Sequence, residues 1–126
     1  MHELSIAYNL IETASKIAKD EGSEQVTRLN IRVGLLSGVV QDALLFSFQV
    51  AAEGTPCAGA ELVVEEVSVR VRCPKCDQAK LLTDRYRFIC PTCGTPTPQI
   101  LSGQELDLVS MEIESQEVAA DDAART

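Results

Sequence analysis

The chain has 126 residues and a formal net charge of −8, with 45% hydrophobic and 24% charged side chains. This composition is typical of a globular protein about the size of one ordinary domain. The acidic excess argues against non-specific binding to nucleic acid or anionic membranes, because both are polyanions. Neither a basic leader followed by an apolar run nor a stretch of about 18 apolar residues occurs, so we expect a cytoplasmic protein without a membrane span.

Local periodicity predicts the first three elements. Apolar residues recur at three- and four-residue steps from residue 3 to 21, which predicts an amphipathic helix ended by Gly22. Residues 26–33 alternate apolar and polar side chains with a period of two, which predicts a half-buried strand. Residues 41–52 predict a second, strongly apolar helix with Asp42 in its first turn.

Two more strands are predicted in the second half of the chain, at residues 61–72 and 105–113. In each, the two-residue alternation slips once, which indicates a long strand with a bulge. We expect these two bent strands to pair with each other. Residues 115–126 lack apolar periodicity and predict a flexible tail.

Four of the five cysteines lie between these two strands as C-x2-C pairs, Cys73 with Cys76 and Cys90 with Cys93. Tetrahedral zinc takes four thiolates at about 2.3 Å, and two such pairs at this spacing are typical of a zinc ribbon. Protein sulfur then fills every ligand position and leaves none for water or substrate. We therefore predict one structural zinc ion per chain.

Other interpretations of the cysteine segment stay open on the residues alone. Four sulfurs would also accept iron, as in a rubredoxin-like electron carrier, and C-x2-C pairs can be redox-active dithiols. A nucleic-acid ribbon is the third, because bases could stack on Tyr86 and Phe88. Six basic residues flank the knuckles: Arg70, Arg72, Lys75, Lys80, Arg85 and Arg87. We favour charge compensation for them, since four thiolates outweigh one zinc dication.

The fifth cysteine, Cys57, has no partner at metal-binding spacing, and we predict a partly buried thiol. The only histidine, His2, is different. Its ring nitrogen, its backbone nitrogen and the terminal amine of Met1 could form one chelate, with the amide or carboxylate of Glu3 within reach. Nitrogen donors in a plane suit Ni(II) or Cu(II). On these residues alone, however, a solvated terminal histidine is the more common arrangement.

Several segments together resemble one family, the HypA/HybF hydrogenase nickel-incorporation proteins, from Met1 to about Glu114. These segments are MHELSIA, RVGLLSGV, GAELVVEE, the two C-P-x-C knuckles and SGQELDLVSMEIE. The resemblance implies a nickel metallochaperone that serves the large-subunit precursor of [NiFe]-hydrogenase beside a HypB-type GTPase. It implies that His2 is the key nickel ligand, with Met1 and Glu3 contributing through terminal amine, backbone or side chain. It also implies that the four ribbon cysteines hold structural zinc.

The chain departs from some relatives in one loop. Many relatives have an acidic residue where this chain has Leu35, and some have a carboxylate where Val40 stands, with Asp42 the nearest acid here. We therefore assign no side-chain ligand from this loop. No nucleophile, acid–base pair or phosphate-binding loop is visible, so we predict no enzymatic activity.

The expected fold is α/β, with two helices on a small three-stranded mixed sheet and an inserted four-cysteine zinc ribbon. We assign residues 1–69 and 99–114 to a nickel-binding α/β domain and residues 70–98 to the ribbon. The expected partners are the GTPase and the hydrogenase precursor, without nucleic acid or membrane, and the chain is expected to be a monomer or a weak homodimer.

Overall fold

A computed structural model describes residues 2–84, 87–114 and 116–119. The elements, in chain order, are α1 (Glu3–Asp20), β1 (Val26–Gly34), α2 (Gln41–Ala52), β2 (Glu61–Val67), β3 (Arg70–Cys73), β4 (Gln78–Leu81), β5 (Gln99–Ser102), β6 (Leu106–Ile113) and β7 (Gln116–Ala119). The strands form one sheet of order β2-β1-β6-β7 and a second of order β4-β3-β5. The α/β class with two helices is therefore confirmed. None of the described helices is long and apolar enough to cross a bilayer.

The chain divides into two compact units, which we name the α/β unit and the cysteine unit. The α/β unit is drawn from Met1–Ile31, Val39–Glu65 and Asp107–Thr126, and the cysteine unit from Arg32–Gly38 and Glu66–Leu106. The cysteine unit thus takes in three segments that lie outside residues 70–98, namely residues 32–38, 66–69 and 99–106. The last of them belongs there because β5 pairs with β3.

In the α/β unit, α1 packs against α2 and buries the apolar face that its periodicity predicts. The buried residues of α1 are Ile6, Ala7, Leu10, Ile11, Ala14, Ile17 and Ala18. Gly22 ends the helix at a φ of +77°. The Gly22 amide donates to the Lys19 carbonyl at 3.0 Å and the Ser23 amide to the Ala18 carbonyl at 2.8 Å, which is a Schellman motif.

The predicted long strand at 61–72 was wrong. The structure has two strands there, β2 and β3, and they belong to different sheets. Val69, between them, is fully buried in the core of the cysteine unit. The slip in the alternation therefore marks the point where the chain leaves one sheet for the other, rather than a bulge within one strand.

The predicted pairing of the two bent strands was also wrong, because β1 lies between β2 and β6. Arg28 of β1 spans both neighbours. Its Nε lies 2.9 Å from Glu61 Oε1 and its Nη1 lies 3.2 Å from Glu112 Oε1. These pairs are partly exposed and contribute little to stability, about 1 kcal/mol or less each, but they agree with the central position of β1.

The sheet has four strands instead of the predicted three, because part of the predicted tail forms β7. This strand pairs antiparallel with β6, with Met111 opposite Val118. The connecting turn places Glu114 at a positive φ of 39°. A single apolar side chain, the buried Val118, holds the strand on the core, and one residue is too few to produce a periodic pattern. The rest of the predicted tail, Ser115 and residues 120–126, lies outside the described residues.

The cysteine unit has a small core of its own, built around Val69, Val71 and Leu82. Packed against these are the partly buried Leu35, Leu36, Phe88 and Ile100. The segment after β1 is fixed to this unit by backbone hydrogen bonds, from the Leu35 amide to the Val67 carbonyl at 3.0 Å and from the Leu36 amide to the Gly103 carbonyl at 2.6 Å. A two-residue turn therefore contributes both of its leucines to the unit.

Gly34 gives the first prediction, because a Cβ at this position would overlap the Gly103 carbonyl and lie 2.6 Å from the Gln104 nitrogen. Gly34→Ala should displace that carbonyl and break its bond to Leu36, lowering the free energy of unfolding by about 3 kcal/mol. The control is Gly38→Ala, whose Cβ meets nothing within 4 Å at a φ of +79° and should cost only about 1 kcal/mol. Urea unfolding measures both. Equal losses of unfolding free energy in the two variants would contradict the close approach of Gly34 to the Gly103 carbonyl.

Candidate metal centre

The four predicted cysteines converge on one point. Their sulfur atoms all lie within 4.8 Å of one another. The Cys73–Cys93 sulfur distance is 3.5 Å, the Cys76–Cys93 distance is 3.7 Å and the Cys76–Cys90 distance is 4.0 Å. Four sulfurs at 2.3 Å from a central ion would lie about 3.8 Å apart. The arrangement therefore fits a tetrahedral metal ion.

The two knuckles share one backbone geometry. In the first, the Asp77 amide donates to the Cys73 carbonyl at 2.8 Å; in the second, the Gly94 amide donates to the Cys90 carbonyl at 2.9 Å. Both donors have a positive φ, 56° for Asp77 and 73° for Gly94. Glycine adopts this conformation freely and aspartate tolerates it. Each turn thus aims two sulfurs at the same point.

Strands position the first knuckle and a hairpin positions the second. Cys73 is the last residue of β3, and its sulfur accepts a hydrogen bond from the Cys76 amide at 3.3 Å. Around the second knuckle, the Cys90 amide donates to the Thr95 carbonyl at 2.8 Å, and Ile89 pairs antiparallel with Pro96. Cys73 and Cys90 are buried, whereas Cys93 is exposed.

The sulfurs differ in how readily they ionise. Hydrogen bonds with the side chain and backbone of Thr95 lower the pKa of Cys93 to about 6. Hydrogen bonds with the Cys93 and Cys73 sulfurs raise the pKa of Cys76 to about 12. Without a metal ion, the four groups are therefore not all thiolates at neutral pH. Metal binding must displace protons, and metal affinity should fall as the pH falls.

The basic residues around the knuckles are partly engaged within the unit. Arg72 forms an ion pair with Asp77, and Lys80 Nζ lies 3.3 Å from both Gln78 Oε1 and Thr92 Oγ1. Phe88 packs on the core instead of offering a free ring for base stacking. Arg85 and Tyr86 lie outside the described residues. Arg72, Lys80 and Phe88 therefore have partners within the cysteine unit, and charge compensation for the thiolates stays a prediction.

Cys57 lies in the α/β unit and is fully buried, more deeply than predicted. Its sulfur lies 3.9 Å from Ser15 Oγ and 4.0 Å from the Ile11 carbonyl oxygen. Burial raises the pKa of the Cys57 thiol, and the hydrogen bond with Ser15 offsets part of that rise. A buried, protonated thiol is neither a metal ligand nor a nucleophile.

Two of the predicted nickel residues, His2 and Glu3, lie where α1 begins. His2 is exposed and is the N-cap residue, and its carbonyl accepts the Ile6 amide at 3.2 Å. The Glu3 carboxylate accepts the Val40 amide through Oε2 at 3.3 Å. Val40 is in turn the N-cap residue of α2, so Glu3 joins the starts of both helices. Met1 lies outside the described residues.

Sequence reasoning missed the contact between Glu3 and Val40, since 37 residues separate them. The identity of residue 40 gave no signal, because a backbone amide makes this bond. Leu35, the other departure in that loop, packs against the core of the cysteine unit.

The comparisons with known proteins agree on one family. The family model described as hydrogenase/urease nickel incorporation, metallochaperone, HypA matches residues 1–113. This chain belongs to the HypA family. A relative from Chloroflexus aggregans, named hydrogenase maturation factor HypA, is 52% identical over 112 residues, which cover 89% of this chain and 98% of that protein. A relative of the same name from Roseiflexus sp. is 48% identical over 114 residues, covering 90% and 93%.

A solved structure shows the same fold. The solution structure of the nickel metallochaperone HypA from Helicobacter pylori matches with a TM-score of 0.64 at 21% identity, covering 92% of this chain and 100% of that one. As a member of the HypA family, the chain is a nickel-incorporation metallochaperone for hydrogenase and not an enzyme. The predicted family and the absence of enzymatic activity are therefore confirmed.

The cysteine cluster gives the second prediction. Cys76→Ser should reduce bound metal from one equivalent to well below half after dialysis, because an alcohol does not replace a thiolate ligand. Cys57→Ser is the matched control and should keep one equivalent, since Cys57 lies in the other unit. Elemental analysis of protein purified without a histidine tag measures both. Equal metal content in the two variants would contradict a four-sulfur site.

Proposed function

We propose that this chain binds Ni(II) at its N-terminus and delivers it to the large-subunit precursor of a [NiFe]-hydrogenase, working with a HypB-type GTPase. The observation that carries the proposal is the family match over residues 1–113, together with an exposed His2 beside a fixed Glu3 carboxylate. Relatives named hydrogenase maturation factor support hydrogenase as the recipient. We place the protein in the cytoplasm, as a monomer or weak homodimer.

The donors of the proposed nickel site are the imidazole of His2 and the nearby nitrogen atoms of the chain. The first amides of a helix have no carbonyl acceptor within the helix, so the His2 and Glu3 nitrogens are not needed by α1. The terminal amine of Met1 would complete a set of nitrogen donors suited to Ni(II).

The charges at the start of α1 are suited to a site that must both bind and release a metal ion. The helix dipole places about half a positive charge there, which opposes a cation by about 0.3–1 kcal/mol. The Glu3 carboxylate is the compensating charge, and the Val40 amide holds it in place. A few nitrogen donors around the exposed His2, opposed by a dipole and supported by one carboxylate, bind nickel while leaving it accessible to a recipient.

We assign structural zinc to Cys73, Cys76, Cys90 and Cys93. The sulfur distances suit zinc at 2.3 Å, and no described carboxylate or histidine joins the cluster. Zinc is colourless and redox-inert, so its role here is to hold the two knuckles together. An iron-loaded protein from zinc-replete medium, red and redox-active, would instead support the electron-carrier alternative.

The third prediction tests the histidine. His2→Ala should abolish specific nickel binding, yet leave zinc content and helix content unchanged, because His2 is exposed and precedes the buried face of α1. Isothermal titration calorimetry of the untagged protein with Ni(II), at several pH values, measures the nickel affinity. The parent affinity should fall as the pH falls, since protons compete for the nitrogen donors.

A variant extended by a few residues before Met1 distinguishes the contribution of the terminal amine from that of the imidazole. It should bind nickel more weakly than the parent, because it loses the terminal amine and keeps the imidazole. Parent affinity in the extended chain would remove the amine from the ligand set and keep His2. Parent affinity in His2→Ala would refute the proposed site.

The fourth prediction concerns Glu3. Glu3→Gln keeps an oxygen that can accept the Val40 amide but removes the negative charge, so nickel affinity should fall by about tenfold. Glu12→Gln, on an exposed position of the same helix, is the control for net charge and should change affinity by less than about twofold. Equal effects of the two substitutions would mean that Glu3 acts only through general electrostatics.

A further inference from the structure

The outward face of α2 is apolar and uncovered. Phe46 and Val50 are one helical turn apart and are 60% and 53% exposed. By helical geometry they lie on the side opposite Leu44 and Phe48, which are buried in the core. A helix that is apolar on both sides is ordinarily covered on both sides, and exposed apolar clusters commonly mark interaction sites.

Acidic residues bracket this apolar face. Asp42 lies one turn before Phe46 and Glu53 lies three residues after Val50, and both are exposed. Helix α2 contains no Lys or Arg. The segments of the α/β unit carry fifteen of the nineteen acidic residues and only four of the eleven basic ones. The face is therefore an exposed apolar pair, Phe46 and Val50, bordered by negatively charged side chains.

This charge pattern selects among possible occupants. A second copy of α2 would bring its own Asp42 and Glu53 against these carboxylates, and like charges at an interface are unfavourable. The C-terminal residues 120–126 carry Asp121 and Asp122 with one arginine, so they have the wrong sign as well. A partner with Lys or Arg on both sides of an apolar pair satisfies both requirements.

We propose that the α2 face docks a basic-flanked amphipathic helix of a partner protein. Its apolar side chains cover Phe46 and Val50, and its cations face Asp42 and Glu53. The face begins next to Val40, whose amide holds Glu3, so a partner seated there is close to the proposed nickel donors. A role of this docking in nickel transfer rests on the proposed function; the docking itself does not.

Fluorescence anisotropy tests the proposal with two labelled 14-residue helical peptides. Both carry the same leucine stripe on an alanine background; one has flanking lysines and the other has flanking glutamates. The parent should bind the lysine peptide at least tenfold more tightly than the glutamate peptide at low salt. Phe46→Ser should lose at least tenfold in affinity for the lysine peptide, and the double variant Asp42→Lys, Glu53→Lys should reverse the preference.

Leu81→Ser is the matched control, because Leu81 is 54% exposed and belongs to the cysteine unit; it should bind as the parent does. Undiminished binding by Phe46→Ser, or no charge preference in the parent, would overturn the proposal. Parent self-association in sedimentation that Phe46→Ser removes would assign the face to a second copy. A tenfold gain on deleting residues 120–126 would assign it to that segment. Either result also overturns the proposal.

His2→Ala separates this surface from the nickel site. It should bind the lysine peptide as the parent does while losing nickel, whereas Phe46→Ser should keep nickel and lose the peptide. Failure of nickel binding alone would refute the proposed function and leave the docking surface intact. Failure of peptide binding alone would overturn the docking proposal and leave the proposed function intact.

Discussion

Mutual repulsion among four ionised sulfurs is the constraint on which the cysteine unit depends. The sulfurs lie within 4.8 Å of one another, a separation at which like charges disfavour common ionisation. Without a cation, hydrogen bonds with the Cys93 and Cys73 sulfurs raise the pKa of Cys76 to about 12, so Cys76 keeps its proton at neutral pH. A divalent ion removes the conflict and joins two turns that otherwise share only a core of a few apolar residues. Metal binding and folding of this unit are therefore coupled.

The α/β unit is stabilised differently, by the buried faces of two helices on a sheet, and the four-cysteine cluster lies in the other unit. Its core includes seven residues of α1 and four of α2. Since His2 and Glu3 lie outside that core, the proposed nickel donors can bind and release nickel without disturbing the fold. A closed site of four thiolates suits permanent binding, and an open set of nitrogen donors suits transfer.

Periodicity predicted the elements whose neighbours lie close in sequence. Both helices and β1 were predicted to within one residue at either end, because each shows its buried face as a regular repeat. The cysteine cluster was predictable for a similar reason, as the C-x2-C turn is a local geometry. The break between β2 and β3 was not predictable, since a bulge and a change of sheet produce the same shift in the alternation of apolar and polar residues. The bond from Val40 to Glu3 was also invisible, because a backbone amide has no sequence signature.

Charge distribution connects these observations. The segments of the cysteine unit contain seven of the eleven basic residues, and their charge is opposite in sign to the net charge of four thiolates around a divalent ion. The acidic majority falls on the α/β unit, where the proposed cargo is a cation and the uncovered face of α2 is bordered by carboxylates. A uniform distribution of the same charges would place fewer cations near the thiolates in sequence and would attract a basic partner less selectively. The segregation of charge along the chain thus agrees with a thiolate-bound cation in one unit and with the proposed recognition of a basic partner in the other.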